Sequence, residues 1–142
     1  MSVHTYDSES MVISVLGSDP HGLGDGTFLE VERDDALFET IIGADGEVAR
    51  AKIPGFLSTG RLTLLATSSF NLIMSAAMEL DLGSGAGVGP LVVSEGNTRL
   101  AGGEAWIKTW PGVSYEKGAV GERVWEFQIA KLSVRLIGGN AP

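Results

Sequence analysis

The pattern of apolar and polar positions predicts β-strands along most of the chain. Extended runs of alternating or β-branched residues recur at short intervals, and glycine, aspartate and proline separate them. The predicted strands cover residues 10–16, 28–33, 36–42, 47–53, 57–67, 91–94, 99–109 and 122–137. Eight antiparallel strands with this spacing are typical of a mainly β fold, either a β-sandwich or a partial barrel.

One segment has a different period. From residue 69 to residue 82 apolar side chains recur every three or four positions, which predicts a single helix flanking the sheet. Ser68 or Ser69 is suited to cap the start of this helix, and Gly83 is suited to end it. The side chains predicted to pack on the core are Leu72, Ile73, Ala76, Ala77 and Leu80, with Met74 and Met78 widening the stripe.

The stretch from Asp25 to Arg50 is the most distinctive part of the sequence. It contains three extended runs separated by turns at Asp34-Asp35 and at Gly43-Ala-Asp-Gly46. In the first run Glu30 and Glu32 share one face, because side chains alternate along a strand. Residues 30 to 47 include seven acids and a single base. This surplus indicates either an ordinary solvated face or a surface selected to be negative.

The overall composition favours a single domain over residues 1–142, with a short N-terminal arm at residues 1–8. The formal charge of −8 disfavours tight binding to nucleic acid, which requires clustered lysine and arginine. The chain has no cysteine, so neither disulfides nor thiolate metal sites can form. Its start lacks the features of a signal peptide, and no apolar run has the length of a membrane-spanning helix.

Candidate chemistry is weak throughout the sequence. Asp19, His21 and Asp25 lie in one loop, but their spacing does not fit a calcium loop. A serine triad would need His21 beside an activated serine, and the chain has no Gly-x-Ser-x-Gly motif. The glycine-rich run at residues 83–90 follows a helix, whereas phosphate-binding loops follow a strand and open a helix. Glu30 and Glu32 leave a pair of carboxylates for glycoside chemistry open, although such pairs are common on strand surfaces. We therefore expect a protein that is not an enzyme and that has no cofactor or metal site.

A set of short motifs, kept in order over nearly the whole chain, resembles the tail tube proteins of tailed bacteriophages, chiefly those with contractile tails. Each motif alone is a turn or part of a strand, and the specificity lies in their order. One departure is the long polar loop at residues 17–24, where a shorter and more apolar segment is expected. The matching residues are Asp25-Gly-Thr-Phe28, Val31-Glu-Arg33, Phe38, Gly43-Ala-Asp-Gly-Glu47, Arg50, Leu62-Thr-Leu64, Thr67-Ser68, Asn71, Gly89-Pro90, Glu104-Ala-Trp106-Ile107, Trp125 and Gly138-Gly-Asn140.

This resemblance implies a structural virion protein. Six copies would form a ring with a continuous inner β-barrel, and stacked rings would form a tube through which the genome is ejected. The implied partners are other copies of the chain, the tail sheath, baseplate and tail terminator proteins. The tape measure protein and double-stranded DNA would pass through the lumen without specific binding. Assembly would take place in the bacterial cytoplasm, without a membrane.

Within that frame, acidic residues are expected to face the lumen, namely Glu30, Glu32 and Glu39. Contacts between subunits or rings are expected at Arg33, Asp34, Asp35, Asp45, Glu47 and Arg50. The sequence is also compatible with three alternatives to a tail tube protein. These are a protein that starts or ends the tube, a ring protein of a secretion-system tube, and a separate binding module that uses the loops of the fold.

Overall fold

The computed structural model describes residues 11–24, 26–53, 57–95 and 98–136. The described part is mainly β, with antiparallel sheets and one helix, as the sequence predicts. The predicted N-terminal arm, Asp25 and the closing residues lie outside it. The elements are β1 (Val12–Val15), β2 (Leu29–Arg33), β3 (Phe38–Ile42), β4 (Val48–Lys52), β5 (Leu57–Leu65), α1 (Phe70–Ser84), β6 (Gly89–Glu95), β7 (Thr98–Thr109), β8 (Glu122–Ala130) and β9 (Ser133–Arg135).

Seven strands form one antiparallel sheet in the order β1-β6-β7-β8-β5-β2, and β9 also pairs with β7. The first two strands therefore lie at opposite ends of this order, although they are consecutive in sequence. The loop between them follows β5, where the Gly24 N–H donates to the carbonyl of Thr63 at 2.9 Å. The remaining two strands, β3 and β4, form a separate hairpin.

The sheet bends where β7 passes from one set of partners to the other. Residues 98–105 of β7 pair with β6 on one edge, with a register shift after residue 102. On the other edge residues 99–101 pair with β9 and residues 104–109 pair with β8. Gly102 lies at this change, where a Cβ atom would stand 2.5 Å from Cγ2 of Ile129. On the neighbouring strand, Lys131 has a φ of 54° and separates β8 from β9. The predicted strand at residues 122–137 is thus two strands, because the chain turns at this bend.

The hydrophobic core joins side chains from both halves of the bent sheet and from α1. Residues at every second position of β5 and β8 point into it, as period-two alternation requires. Gly60 makes room for the Phe127 ring, since a Cβ atom there would stand 2.3 Å from a ring carbon. The fully or almost fully buried core side chains are Val15, Leu62, Leu64, Phe70, Met74, Leu91, Val93, Ala105, Trp125, Phe127 and Ile129.

The helix begins and ends close to the predicted positions, but its caps differ in detail. Ser69 is the N-cap residue and makes no side-chain cap bond. The Ser68 hydroxyl instead accepts a bond from the Phe70 N–H at 3.2 Å. At the other end the helix includes Gly83 and is capped by Gly85, whose φ is 72°. A left-handed residue after the last turn is a common helix end, and glycine adopts it without strain.

The predicted core stripe of the helix is wrong in its orientation. Phe70 and Met74 are fully buried, whereas Leu72 remains 74% exposed and Leu80 remains 53% exposed. Both sides of the helix carry apolar side chains, so periodicity alone does not determine which side packs on the sheet. The Trp125 indole donates to Asn71 Oδ1 at 2.9 Å and links the start of the helix to β8.

The β3–β4 hairpin stands apart from the main sheet. Its turn is the one predicted at residues 43–46, where the Gly43 N–H donates to the carbonyl of Glu47 at 2.7 Å. The turn predicted at Asp34-Asp35 does not close a second hairpin. Strand β2 pairs with β5, and the bend at Asp34-Asp35 directs the chain away into β3.

Candidate assembly surfaces

One side of strands β2, β5, β7 and β8 is mostly polar, with Trp106 and Val124 among its apolar members, while the opposite side carries the core. We call this surface the polar face and define it by Glu30, Glu32, Arg61, Glu104, Lys108, Glu126 and Gln128. The registers Glu30↔Arg61 and Arg61↔Glu126 place three of these residues side by side across β2, β5 and β8. The alternation of side chains thus separates charges from the core on four strands at once.

Arg61 is the centre of the charges on the polar face. Its guanidinium lies 3.9 Å from Glu30, 3.7 Å from Glu32 and 4.0 Å from Glu126. The Lys108 amine lies 3.5 Å from the second oxygen of the Glu126 carboxylate. These side chains are partly exposed, so the pairs contribute little to folding stability. Their effect is to reduce the negative charge of a face on which carboxylates still outnumber cations.

The three acids predicted to share one surface are divided between two surfaces. Glu30 and Glu32 both lie on the polar face, exposed and outside the core. Glu39 lies on β3, in the separate hairpin, and faces solvent there. The alternation within one strand placed the first two together, but the hairpin places the third on a different element.

The residues predicted to contact other subunits lie along the β3–β4 hairpin and at its base. Arg33, Asp34 and Asp35 are at the base, where β2 ends and the chain bends. Asp45 and Glu47 are at the tip, where the Glu47 N–H donates to Asp45 Oδ1 at 3.1 Å. All of these side chains are exposed. The structure thus collects them on one projecting element.

The two arginines of this set have contacts within their own chain. Arg33 Nε donates to the carbonyl of Asp35 at 2.8 Å, and Nη2 donates to the carbonyl of Ile53 at 3.3 Å. These bonds tie together the two ends of the segment that carries the hairpin. Arg50 places its guanidinium 4.4 Å from the centre of the Phe38 ring, a cation–π contact across the hairpin. Both contacts hold the hairpin in its observed form.

The hairpin is exposed throughout and carries apolar side chains beside charged ones. All ten residues of its two strands are exposed, and Ile42 keeps 70% of its surface open. Phe38, Ile41 and Val48 are exposed as well. A two-stranded hairpin is at best marginally stable alone in water. The exposed apolar side chains of this hairpin therefore make it a candidate contact surface.

His21, the histidine of the candidate loop, makes contacts with the start of α1. His21 Nε2 lies 3.4 Å from Ser69 Oγ, and the His21 carbonyl accepts a bond from the Ser68 hydroxyl. The His21 ring meets Phe70 edge-on at 5.8 Å. Together these contacts fix the first long loop against the start of α1. Among the residues that the structure describes, no cluster of three or more histidine and acidic side chains is arranged to hold a metal ion.

Two apolar surfaces were missed by the sequence reasoning. One is the outer side of α1, which the periodicity assigned to the core. The other is a groove of about 690 Å³ beside β2 and β9. The groove is formed by residues far apart in sequence, so no local pattern indicates it. The exposed apolar side of the helix could have been anticipated from the sequence, because apolar residues occupy more than one side of α1 and not all of them can face the sheet.

Comparisons with known proteins place the fold among tube-associated proteins of contractile systems. No protein-family model matches the chain, and no curated protein matches it in sequence. The anti-feeding prophage cap (AFP tube terminating cap) is similar with a TM-score of 0.66 and 9% identity, over 96% of this chain and 95% of that chain. The sheath/tube terminator of PVC, an extracellular contractile injection system, is similar in its extended state with a TM-score of 0.61 and 10% identity, over 96% of this chain and 100% of that chain.

A chain of the PVC sheath-tube complex in its extended state gives a TM-score of 0.59 and 10% identity, over 94% of this chain and 93% of that chain. At such identities the likeness is one of fold. Within the part of the chain that the structure describes, no helix is long and apolar enough to cross a membrane. The fold is therefore one that tube-associated subunits of contractile injection systems also have.

Proposed function

We propose that the chain is a ring-forming structural subunit of the tube of a contractile tail or injection apparatus. The observation that carries this proposal is the four-stranded region with one core face and one polar face. In the described part of the chain, β2 has a strand partner on one edge alone, and residues 106–109 of β7 pair with β8 alone. Two unpaired edges on one curved sheet allow copies to join edge to edge into a closed barrel.

In this assembly the polar face, with Glu30 and Glu32, lines the lumen. Carboxylates outnumber cations on that face, so it repels the phosphate backbone of passing DNA and does not retain it. Arg61 and Lys108 reduce the negative electrostatic potential of the polar face without forming a cluster of cations that would bind phosphate. Glu39 belongs to the contact surface of the hairpin instead. No catalytic role is assigned to the chain.

The β3–β4 hairpin makes contacts to other copies of the chain, at the tip through Asp45 and Glu47 and at the base through Asp34 and Asp35. Burial of the apolar side chains of the hairpin stabilises that contact. The charged residues around them determine how the two copies are aligned. Arg33 and Arg50 belong to the same contact surface, because both are exposed, and their contacts within the chain hold the hairpin in the form that it presents. A projecting element that binds a different surface of the next copy gives a head-to-tail contact.

Of the two positions in a tube, the end is favoured by the similarity to a tube terminating cap and a sheath/tube terminator. A subunit at the end binds the last ring of the tube and, in a contractile system, the sheath. The body of the tube is the second candidate. It is favoured by the similarity to a chain of a sheath-tube complex and by the sequence motifs that resemble tail tube proteins. Both positions require ring formation.

Negative-stain microscopy of the purified chain, at increasing protein concentration, tests the proposal. Rings with a central opening are expected at either position. Rings that remain separate support the end of the tube, and long tubes support its body. A chain that stays monomeric at every concentration in sedimentation experiments, and does not bind preformed tubes of its own particle, overturns the proposal.

A further inference from the structure

A row of alternating charges crosses the polar face from β2 to β7. It begins with Glu30 on β2, continues through Arg61 on β5 and Glu126 on β8, and ends with Lys108 on β7. The strand registers place Glu30 opposite Arg61 and Arg61 opposite Glu126. Lys108 lies at the irregularity between residues 107 and 109 of β7, and its amine is 3.5 Å from the Glu126 carboxylate. We call these four residues the charge row.

The two ends of the charge row have opposite signs, and each lies at a strand edge without a partner in the described part of the chain. At the β2 end, Glu32 stands beside Glu30 with 70% of its side chain exposed. At the β7 end, Lys108 keeps 45% of its side chain exposed, and residues 106–109 pair with β8 alone. Glu104 lies further back, where β6 also pairs with β7. An ammonium has three donors and a carboxylate several acceptor sites, so both ends are able to bind further groups.

The direction of the strands allows these two edges to pair with each other. In the order β7-β8-β5-β2 every neighbour is antiparallel, so β7 and β2 run in opposite directions. Rotation about a ring axis keeps these directions. The β7 edge of one copy therefore meets the β2 edge of the next as an antiparallel pair.

The register of this pair is restricted by the two faces of the sheet. A shift by an odd number of residues turns the polar side chains of one strand toward the core side of the other, so shifts by an even number are allowed. Closing a barrel requires such a stagger between strands. Glu30 and Glu32 are two residues apart on the polar face, so Lys108 meets a carboxylate with or without a shift by two.

We propose that Lys108 of each subunit pairs with the Glu30 and Glu32 carboxylates of its neighbour and thereby selects which edges join in the ring. The inference rests on the proposed ring and names the side chains that determine its seam. Joined in this way, the copies continue the alternation of the charge row around the barrel. Two β2 edges would instead bring four carboxylates together, and like charges opposite one another destabilise a strand pair. The contact is therefore heterologous and repeats until the ring closes.

Mixing two charge-reversed variants tests the pairing. In Lys108→Glu every seam opposes carboxylates, and in Glu30→Lys with Glu32→Lys every seam opposes amines. Each variant alone is expected to need about 3- to 30-fold more protein than the wild type to form rings in sedimentation experiments. In an equimolar mixture the two variants alternate, so every seam of a ring with an even number of copies again opposes an amine and carboxylates. The mixture is expected to form rings close to the wild-type concentration.

The mixture separates the seam from effects within one chain, because the ion pairs with Arg61 and Glu126 remain disrupted in it. Lys117→Glu is the matched control. It makes the same change in net charge as Lys108→Glu, in the exposed loop between β7 and β8 and on neither edge. It is expected to form rings at the wild-type concentration, and an equal loss of assembly in this control overturns the inference.

Urea unfolding at low concentration checks that each variant is folded. If a reversed variant does not fold, Lys108→Gln takes its place, with an expected weakening of about 2- to 5-fold. Unchanged assembly of the folded Lys108 variant overturns the inference, and so does a mixture that assembles no better than its components.

A cysteine variant tests the choice of edges independently, because the chain has no cysteine of its own. Oxidised rings of Glu30→Cys are expected to stay monomeric on a non-reducing gel, since this edge meets β7 of the neighbour. A disulfide-linked dimer shows that two β2 edges meet and overturns the inference while the ring remains. If the wild-type chain forms no rings at any concentration, the proposed function itself fails.

Discussion

Replacing Ile42 by threonine separates the two roles that a strand residue has, folding and assembly. Ile42 lies opposite Val48 in the β3–β4 hairpin, with 70% of its surface open. Threonine keeps the branched Cβ that suits a strand, so the hairpin itself is conserved. Because the side chain is exposed in the single chain, we expect the free energy of unfolding of the monomer to change by less than about 0.5 kcal/mol.

The substitution is expected to weaken association when the hairpin packs against another copy. Full burial of an isoleucine side chain stabilises by roughly 1.5–3 kcal/mol. Since most of the side chain is open in the monomer, the substitution removes about 1–2 kcal/mol from each contact that buries it. That loss raises the concentration needed for association about 5- to 30-fold.

Ile129→Thr is the matched control, with the same chemical change at a fully buried position of β8. It removes a core methyl group and buries a hydroxyl, which together destabilise the monomer by about 2–4 kcal/mol. Urea unfolding at low concentration measures monomer stability, and sedimentation across a concentration series measures association. The reasoning is refuted if Ile42→Thr destabilises the monomer by more than about 1 kcal/mol or leaves association unchanged.

Three further substitutions test the interior and the polar face. Asn71→Ala removes the acceptor of the Trp125 indole and two bonds to backbone carbonyls, so we expect a loss of about 1–3 kcal/mol in urea unfolding and altered tryptophan fluorescence. Unchanged stability would show that water replaces these bonds. Gly60→Val places a side chain in the space of the Phe127 ring and is expected to lower stability by about 1–3 kcal/mol or more; an unchanged unfolding midpoint contradicts this packing. Arg61→Gln breaks exposed ion pairs and is expected to change stability by less than about 1 kcal/mol; a larger loss, measured in the same way, would mean that these pairs are buried.

The sequence predicted most strands because alternation is a local property, but it did not predict their partners. Strand β2 has the expected faces, with Glu30 and Glu32 together, yet it pairs with β5 and not with β3. Acidic turn residues such as Asp34 and Asp35 are compatible with a tight hairpin and with an open bend. The choice between them depends on contacts with β5, which is distant in sequence.

The helix shows the same limit in its packing. Its apolar residues occupy more than one side, so the period identified a helix without identifying its buried side. Phe70 and Met74 pack inwards because Trp125 and its bond to Asn71 fix the start of the helix against β8. The sequence likewise did not predict that Arg61 pairs with Glu30 and Glu32 on the polar face. Arg61 lies on β5, and the register between β2 and β5 brings it beside these acids.

A cryo-electron microscopy reconstruction of the assembled rings tests the central claim most directly, because it shows which face of the sheet surrounds the opening. The account predicts a closed barrel built from β2, β5, β7 and β8 of every copy. It places Glu30, Glu32 and Arg61 at the wall of the lumen and the core side of the sheet away from it. A ring with those carboxylates on its outer surface, or with no continuous barrel between copies, contradicts the account.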